Sequence, residues 1–401
     1  MKKKTMVGLC LCYLVTFTVG NGFLPLMPLY ARMRGATSEV AGFYVALATL
    51  CVAAGVLLGG RLSDLSRQRR PLLAAAGAAT VPMAWLIGRA ENVWQLALAN
   101  GAQWLAGGMC IGIVGAIVGS QADDAQRGRV FGILGVTISL GSLLGGLTFG
   151  RMVDSWGYPG MSTIAALISA IAPASALLLV SEGNVRVAGK GEERPKGRSW
   201  MSGALLLLLL AEVLAMVAAG VGNMGRSFSM DQKSFSNGAI TTTMAIGGLV
   251  SLPFPFMMGW LSDMLGRRKI MIASFLAGTA GLVLLIFSRS LWQFWAMAAL
   301  MSVHSVSLTL GPAYVADITR KERVGTGIAL LQSSAWIGMI LGYIYSGIVF
   351  QGIGMTAGLA FASGFPILGV LVLFFVKAQA RSRERPEREP AAPRLVQAGP
   401  V

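Results

Sequence analysis

Charged residues are scarce in this chain, and their scarcity excludes most soluble architectures. Asp, Glu, Lys and Arg make up only 12% of its 401 residues, whereas soluble domains average about a quarter. One histidine and four scattered cysteines provide no metal cluster and no disulfide framework. The sequence also lacks a G-x-x-x-x-G-K-S/T loop to cradle ATP phosphates. We therefore expect no enzymatic activity, no cofactor and no metal ion.

Apolar residues account for 55% of the chain and form runs long enough to cross a bilayer, which needs about 20 residues of helix. All of these runs are predicted to be helices, because backbone amides in lipid must be satisfied within the segment. The twelve predicted spans are 6–27, 38–60, 71–88, 92–119, 130–150, 159–181, 201–222, 236–260, 270–288, 292–316, 324–348 and 353–376.

Basic residues alternate between dense and sparse windows, and this alternation predicts the orientation in the membrane. With the N-terminus inside, 26 of the 33 Lys and Arg residues lie in cytoplasmic segments, which also places the C-terminus in the cytoplasm. The same rule explains the net charge of +16, so we expect no nucleic-acid partner. The seven bases assigned to outer loops are Arg32, Arg34, Arg89, Arg151, Arg226, Lys233 and Arg289.

A charged, Gly-rich window at 182–200 divides the twelve spans into six plus six. Its composition predicts a flexible cytoplasmic linker between an N-terminal bundle, 1–181, and a C-terminal bundle, 201–376. The tail, 377–401, has too few apolar residues to fold and is predicted to be disordered.

Two loops repeat between the halves. "GGRLSDLSRQRR" (59–70) and "GWLSDMLGRRK" (259–269) both follow the second span of a half, and a gap-free alignment pairs Asp64 with Asp263 and Arg69 with Arg268. A second pair of similar segments follows the fourth span of each half. These repeated segments predict an internal duplication, and an even number of helices per half makes the repeats parallel.

The loop pattern G-x-L-x-D-x-x-G-R-R/K-R/K, present twice in a chain of twelve predicted spans, resembles that of the major facilitator superfamily. The resemblance implies an all-α membrane protein of two pseudo-symmetric six-helix bundles. It also implies that each loop stabilises one access state, its Asp facing a helix N-terminus across the seam between the bundles. A loop that only sets topology is the alternative. The gating role would transfer to Gly60, Asp64, Arg69, Arg70, Gly259, Asp263, Gly266, Arg267, Arg268 and Lys269.

The chain departs from the family pattern at four positions. Arg67 stands where the first loop usually has Gly, and Gln68 where it usually has Arg, so a weaker first latch is expected. Gln103 stands where many proton-driven exporters have Arg, and Ser142 replaces the Pro of G-P-x-x-G-G. The resemblance to exporters is therefore partial.

Two ionisable residues lie near the predicted middle of the membrane. Glu212 is eleven residues into the seventh span, about 16 Å deep, and His304 is twelve residues into the tenth. A charge there costs about 2.5–3.5 kcal/mol or more, which indicates a functional group. Glu212 is predicted to carry a proton or bind substrate, tuned by His304, whose ordinary pKa is about 6.5. Packing hydrogen bonds or, for Glu212, a fixed counter-charge are the alternatives.

Polar and aromatic residues recur at helical spacing and predict a central cavity. Gln332, Trp336, Met339 and Tyr343 share one face of the eleventh span. Packing would explain any of these residues singly, but their convergence favours a cavity. With one carboxylate and no central Arg or Lys, it suits a neutral or cationic amphiphile. The predicted cavity residues are Asn21, Asn100, Gln103, Trp104, Asn223, Gln332, Trp336 and Tyr343.

The sequence therefore predicts a monomeric secondary transporter in the lipid bilayer of the bacterial cytoplasmic membrane. Its partners would be protons and a small-molecule substrate, bound at a mid-membrane site about which the halves rock. Proton-coupled export is the predicted direction, whereas uptake by symport and uniport are alternatives. A transporter-like sensor is a further alternative, although the 25-residue tail is too short for the added domain expected of one.

Overall fold

The computed structural model describes residues 3–66, 68–121, 124–181, 202–319 and 323–376, without the side chains of 124–129, 254–256, 259 and 263. The predicted linker at 182–200 and the predicted tail at 377–401 therefore lie outside the described residues. Within the described ranges the structure is all-helical and contains no strand. The helices are α1 Lys3–Phe23, α2 Met27–Met33, α3 Ser38–Leu65, α4 Arg69–Ile87, α5 Val93–Gln121, α6 Asp124–Ser169, α7 Ile171–Leu179, α8 Gly203–Gln232, α9 Asn237–Ser251, α10 Phe254–Leu265, α11 Arg267–Phe287, α12 Leu291–His304, α13 Val306–Ile318, α14 Val324–Gly352, α15 Met355–Ala362 and α16 Gly364–Phe375.

Ten stretches of the described chain are long and apolar enough to cross a membrane. The predicted fifth and sixth spans lie together in one stretch of 50 residues, Val130–Leu179, because α6 continues across a bend at Gly157. The predicted eighth span is broken between α9 and α10, where Pro253 and Pro255 remove backbone donors. The number twelve stays a prediction, while each other predicted span overlaps one of the ten stretches.

Helix packing divides the described helices into two groups joined along two seams. In the first group α1 packs on α6 and α7, and α3 and α4 pack on α5; in the second, α8 packs on α14 and α16, and α11 packs on α12. The seams are formed by α3 against α14 and by α6 against α9. Each half thus contributes one helix to each seam, which leaves the space between the seams for a cavity.

The apolar core shows at which end the halves meet. One buried cluster contains residues of both halves, among them Tyr30, Val45 and Phe350, and lies toward the predicted outer end. Toward the repeated loops, the first half has its own cluster around Leu9, while the second half has a separate one around Leu373. The halves are therefore packed together at the predicted outer end and have separate cores at the predicted cytoplasmic end.

The seam between α3 and α14 depends on two glycines that bring the backbones into contact. A Cβ atom on Gly347 would lie 2.9 Å from the Glu39 carbonyl oxygen and 3.0 Å from the Gly42 Cα. Real side chains do not tolerate such distances to backbone atoms, so glycine is required for this crossing. Nearby, the Glu39 amide donates a hydrogen bond to Gln351 Oε1 at 3.0 Å.

The seam between α6 and α9 ends in a carboxylate placed at a helix N-terminus. Asp154 of α6 accepts hydrogen bonds from the backbone amides of Asn237 at 3.1 Å and Gly238 at 2.7 Å. A carboxylate is favoured there by the free amides and by the positive end of the helix dipole. Arg32 and Asp231 add an ion pair between the halves at 3.5 Å. These contacts all lie at the predicted outer end.

Candidate functional site

A cavity of about 340 Å³ lies between the two halves. Its walls are mostly apolar and come from α1, α2, α3, α5, α6 and α14. The structure brings six of the predicted cavity residues together on these walls, and Met339 with them. The six residues are Asn21, Asn100, Trp104, Gln332, Trp336 and Tyr343.

The polar groups of this cavity are few and individually positioned. Asn21 donates a hydrogen bond to Ser142 Oγ at 2.6 Å, so the serine that replaces the expected proline orients a cavity amide. The Asn100 amide oxygen is buried without a hydrogen-bond partner, which leaves an acceptor for a bound molecule. A largely apolar pocket with a few placed polar groups is typical of small-molecule sites.

The other two predicted cavity residues lie beside the main cavity. Gln103 faces a smaller pocket between α1 and α5, together with Thr16 and Gly107. Asn223 of α8 donates a hydrogen bond to Tyr343 Oη at 3.3 Å and lines a second cavity. Asn223 therefore lies behind Tyr343, which lines the main cavity, while Met339 lines both cavities.

The carboxyl group of Glu212 is fully buried but does not line the central cavity. The Ser307 hydroxyl donates to its Oε1 atom at 3.1 Å, and Oε2 has no hydrogen-bond partner. The helix is interrupted at Ser305, between α12 and α13, and Ser307 in the first turn of α13 covers the carboxyl group. The prediction that Glu212 faces the central cavity is therefore wrong, whereas its role in proton transfer stays a prediction.

The imidazole of His304 lies at the same interruption and contacts two backbone carbonyls. Its Nδ1 atom is 3.1 Å from the Ser274 oxygen, and its Nε2 atom is 3.0 Å from the Ala215 oxygen. A neutral ring donates through one nitrogen only, so only one of these contacts is a hydrogen bond in that form. Ala215 lies one turn from Glu212, and Ser307 lies one turn from His304. The two titratable groups are therefore neighbours within the second half.

Arg226 was assigned to an outer loop, and the structure corrects that assignment. Helix α8 continues to Gln232, ten residues beyond the predicted end of the span, so the side chain lies within the bundle and is only 4% exposed. It lines a second cavity of about 240 Å³ together with Asn223 and His304. The central cavity itself is lined by no Arg or Lys among the described residues, as predicted, but Arg226 puts a buried base in the adjacent second cavity. Hydropathy misplaces this residue because it falls at Gly222, while the helix does not end there.

A sequence signal for Arg226 was present and was missed. Asn223 and Arg226 are three residues apart, so they share a helix face. No Gly or Pro follows Arg226 before Gln232 to end the helix. Helix continuation, rather than hydropathy, indicates that this base lies on the helix and not in an outer loop.

The two repeated loops make the same contact within their own halves. Arg69, the first residue of α4, donates to the Ala116 carbonyl and the Ser120 hydroxyl of α5. It also lies 3.8 Å from the Asp64 carboxylate. The positions of the acceptors, four residues apart, put both at the cytoplasmic end of α5.

In the second half Arg267, the first residue of α11, donates to the Ala313 carbonyl and to Asp317 Oδ2, at 2.8 Å for the latter. Its structural counterpart is Arg69, whereas the gap-free alignment paired Arg69 with Arg268. The alignment is wrong at this position because residues 66–68 separate α3 from α4, while Gly266 alone separates α10 from α11.

The predicted latch across the seam is not formed by the described loop residues. The Asp64 side chain is 76% exposed, and its ion pair is made within its own half. Arg70 donates to the Leu177 carbonyl, and Arg268 stacks over the Phe374 ring at 5.1 Å, also within one half. Lys269 is exposed and Gly60 has open space around it. Arg67 lies outside the described residues, and neither the side chain of Asp263 nor the surroundings of Gly259 are described.

Gly266 joins α10 to α11 in a conformation that only glycine adopts readily, with φ +89° and ψ 137°. We expect Gly266→Ala to destabilise the protein by roughly 1–3 kcal/mol, the cost of that backbone conformation for an L-residue. Thermal denaturation in detergent would show a lower midpoint. Gly132→Ala is the matched control, because Gly132 lies within α6 with no atom near its missing Cβ. Equal midpoints for the two variants would contradict the prediction.

Comparison with known proteins adds family evidence to this geometry. The family model described as Major Facilitator Superfamily matches residues 9–230 and 201–399. "Multidrug resistance protein MdtG" of Klebsiella pneumoniae (strain 342) is 25% identical over 409 residues, covering 96% of this chain and 96% of that protein. The MdtG protein of Enterobacter lignolyticus (strain SCF1) is 24% identical over 387 residues, covering 92% of this chain and 90% of that protein.

Solved structures show the same fold at low sequence identity. A bacterial homolog of the human lysosomal transporter Spinster, in an inward-facing and occupied conformation, is 13% identical with a TM-score of 0.76, covering 94% of this chain and 97% of that chain. The nucleoside transporter NupG is 14% identical, with a TM-score of 0.74, covering 92% of this chain and 98% of that chain.

Proposed function

Because the chain belongs to the Major Facilitator Superfamily and is a multi-pass membrane transporter, we propose that it exports a small amphiphilic organic compound in exchange for protons. Relatives that cover almost all of the chain are named as multidrug resistance proteins, which supports export. The proposal includes twelve spans, with both termini on the cytoplasmic side of the bacterial inner membrane. It also includes two bundles, 1–181 and 201–376, that move as units in a monomer.

The observation that carries the proposal is the central cavity at a seam that is packed at one end only. One apolar cluster joins the halves at the predicted outer end, whereas separate clusters hold the halves at the other end. A molecule entering between the separate clusters meets Trp104 and Trp336 at the cavity walls. Rocking of the halves would close that end and open the other, which is the basis of alternating access.

Proton coupling is proposed for the neighbouring pair Glu212 and His304. The carboxyl group is buried within the second half, with one oxygen bonded to Ser307 and the other unpartnered. The ring of His304 lines the second cavity, which gives a proton an aqueous route to the pair when that cavity is wetted. Protonation of the pair would change its contacts with α11 and α8 and so alter the packing of the second half, which would favour one access state over the other.

Energised export from proteoliposomes tests this function with the neutral fluorescent amphiphile N-phenyl-1-naphthylamine. Trp336→Ala is expected to reduce the initial rate by about tenfold, since burial of a large side chain contributes roughly 1.5–3 kcal/mol. Ile337→Ala is the matched control, because Ile337 is the next residue of α14 and is exposed on the bundle surface.

Two results would overturn the proposed function. One is wild-type protein that moves the probe no faster than empty liposomes under either polarity of the pH gradient. The other is an equal rate in the Trp336 and Ile337 variants. Accumulation of the probe under a pH gradient opposite to the one that drives export would favour uptake by symport over export.

A further inference from the structure

The guanidinium group of Arg226 is buried and short of partners. Its five N–H donors have one hydrogen-bond acceptor among the described residues, the Met244 thioether sulfur, at 3.4 Å from Nη2. Nε is buried with no partner. A thioether is a weak acceptor, so the donor capacity of this group is almost unused. Such a group within a membrane protein indicates a missing acceptor.

The acids near Arg226 are engaged elsewhere or too distant to act as its counter-charge. Asp231 pairs with Arg32 at 3.5 Å, and Asp154 accepts from the N-terminal amides of α9. Glu212 is fourteen residues away on the same helix, about 21 Å along its axis. Among the described residues, therefore, Arg226 forms no ion pair. A desolvated cation without an anion costs several kcal/mol, which binding of an anion would offset.

The position of Arg226 connects it to the central cavity through two side chains. Asn223, one turn earlier on α8, lines the second cavity with Arg226 and donates to the hydroxyl of Tyr343. Tyr343 in turn lines both the central cavity and a small pocket that contains Arg226. Met339 lines both the central and the second cavity. Leu24 and Val45 also line both the central cavity and the small pocket, so one layer of side chains, which includes Tyr343 and Met339, lies between the guanidinium and the central cavity.

We propose that Arg226, with the Asn223 amide and the Tyr343 hydroxyl, binds an oxyanion group of the transported amphiphile, such as a carboxylate or a phosphonate. This inference rests on the proposed function and names its substrate class. The apolar body would lie between Trp104 and Trp336, while its acid group reaches between Tyr343 and Met339. The planar fork of a guanidinium matches two oxygens of such a group, which a point charge does not. His304, the other base of the second cavity, already contacts two carbonyls and is not required for this binding.

Binding of paired probes to the purified full-length protein tests the subsite. The probes are 1-naphthoate and 1-naphthamide, which share an aromatic body and differ in charge. Wild-type protein is expected to bind the carboxylate more tightly by about tenfold or more, the factor that a charge-assisted hydrogen bond supplies. Arg226→Gln is expected to remove that preference and to leave the affinity for the amide within about threefold.

Three further variants separate the subsite from structural effects. Arg226→Lys keeps the charge and is expected to retain part of the preference. Arg89→Gln removes an exposed positive charge that stacks on Trp85, and it is expected to retain the full preference. Trp336→Ala is expected to weaken the binding of both probes by the same factor, since it removes a wall of the shared cavity.

The outcomes distinguish this inference from the proposed function. Equal affinity of wild-type protein for the two probes would overturn the oxyanion subsite, and this measurement does not require any variant to fold. An unchanged preference in Arg226→Gln would overturn it too. Binding of neither probe, or no effect of Trp336→Ala on either, would count against the central cavity itself and so against both proposals. Failure of energised transport with normal probe discrimination would overturn the proposed function alone.

Discussion

Replacing Glu212 with glutamine is expected to reduce flux driven by a pH gradient to the level measured without a gradient. Glutamine has almost the same shape and can still accept the hydrogen bond from Ser307, but it neither binds nor releases a proton. If the carboxyl group carries the coupling proton, exchange of unlabelled for labelled substrate at equal pH continues while energised transport stops. Proteoliposomes loaded at two pH values measure both rates in one preparation.

The control for this variant removes a carboxylate elsewhere. Glu91→Gln alters an exposed acid of the connection before α5, and both rates are expected to stay at the wild-type level. Ser307→Ala keeps the carboxyl group but removes its hydrogen bond, and it is expected to shift the pH dependence of energised flux rather than abolish it. Unchanged energised flux in the Glu212 variant would show that the proton travels by another route.

A leucine at Gly347 is expected to prevent closure of the predicted outer end and to abolish most transport. The added side chain would meet the backbone of α3 at Glu39 and Gly42, which cannot move away without separating the two halves. Overpacking of this kind costs roughly 1–3 kcal/mol, enough to shift the balance of access states by about fivefold to over a hundredfold. Hydrogen exchange of the outer ends of α3 and α14 should rise, while exchange in α11 should not change.

Gly352→Leu is the matched control on the same helix. Its missing side chain has open space around it, so neither transport nor exchange should change. Equal exchange at the outer ends in the Gly347 and Gly352 variants would contradict the role of the glycine crossing.

The charge found inside the bundle changes the substrate class expected of the cavity. Without a central base, the aromatic and amide groups suit neutral or cationic amphiphiles. With Arg226 behind Tyr343, the same apolar walls suit a molecule with an acidic end. The distinction arises from one extension of α8, which converts a predicted loop residue into a buried one.

In the repeated loops, comparison of the two halves of the sequence identifies some equivalent residues but not all of them. The duplication and its loop positions follow from "GGRLSDLSRQRR" and "GWLSDMLGRRK", and the paired acids align in both. The structural counterpart of Arg69 in the second half does not align with it, because the two connections between helices differ in length. Sequence similarity gives no information about where a helix begins. The contact to the end of the neighbouring helix, made by Arg69 and by Arg267, identifies the true counterparts.

By itself, the sequence determined the membrane class, the helical character of the apolar stretches and the face of α14 that carries Gln332, Trp336 and Tyr343. These features are local, since hydropathy and the helical repeat are properties of consecutive residues. Only the tertiary structure decided that Glu212 is covered by Ser307, that Arg226 projects inward and that the halves meet through Gly42 and Gly347. These features depend on which helix packs against which and on where each helix ends, and such contacts join residues far apart in the chain.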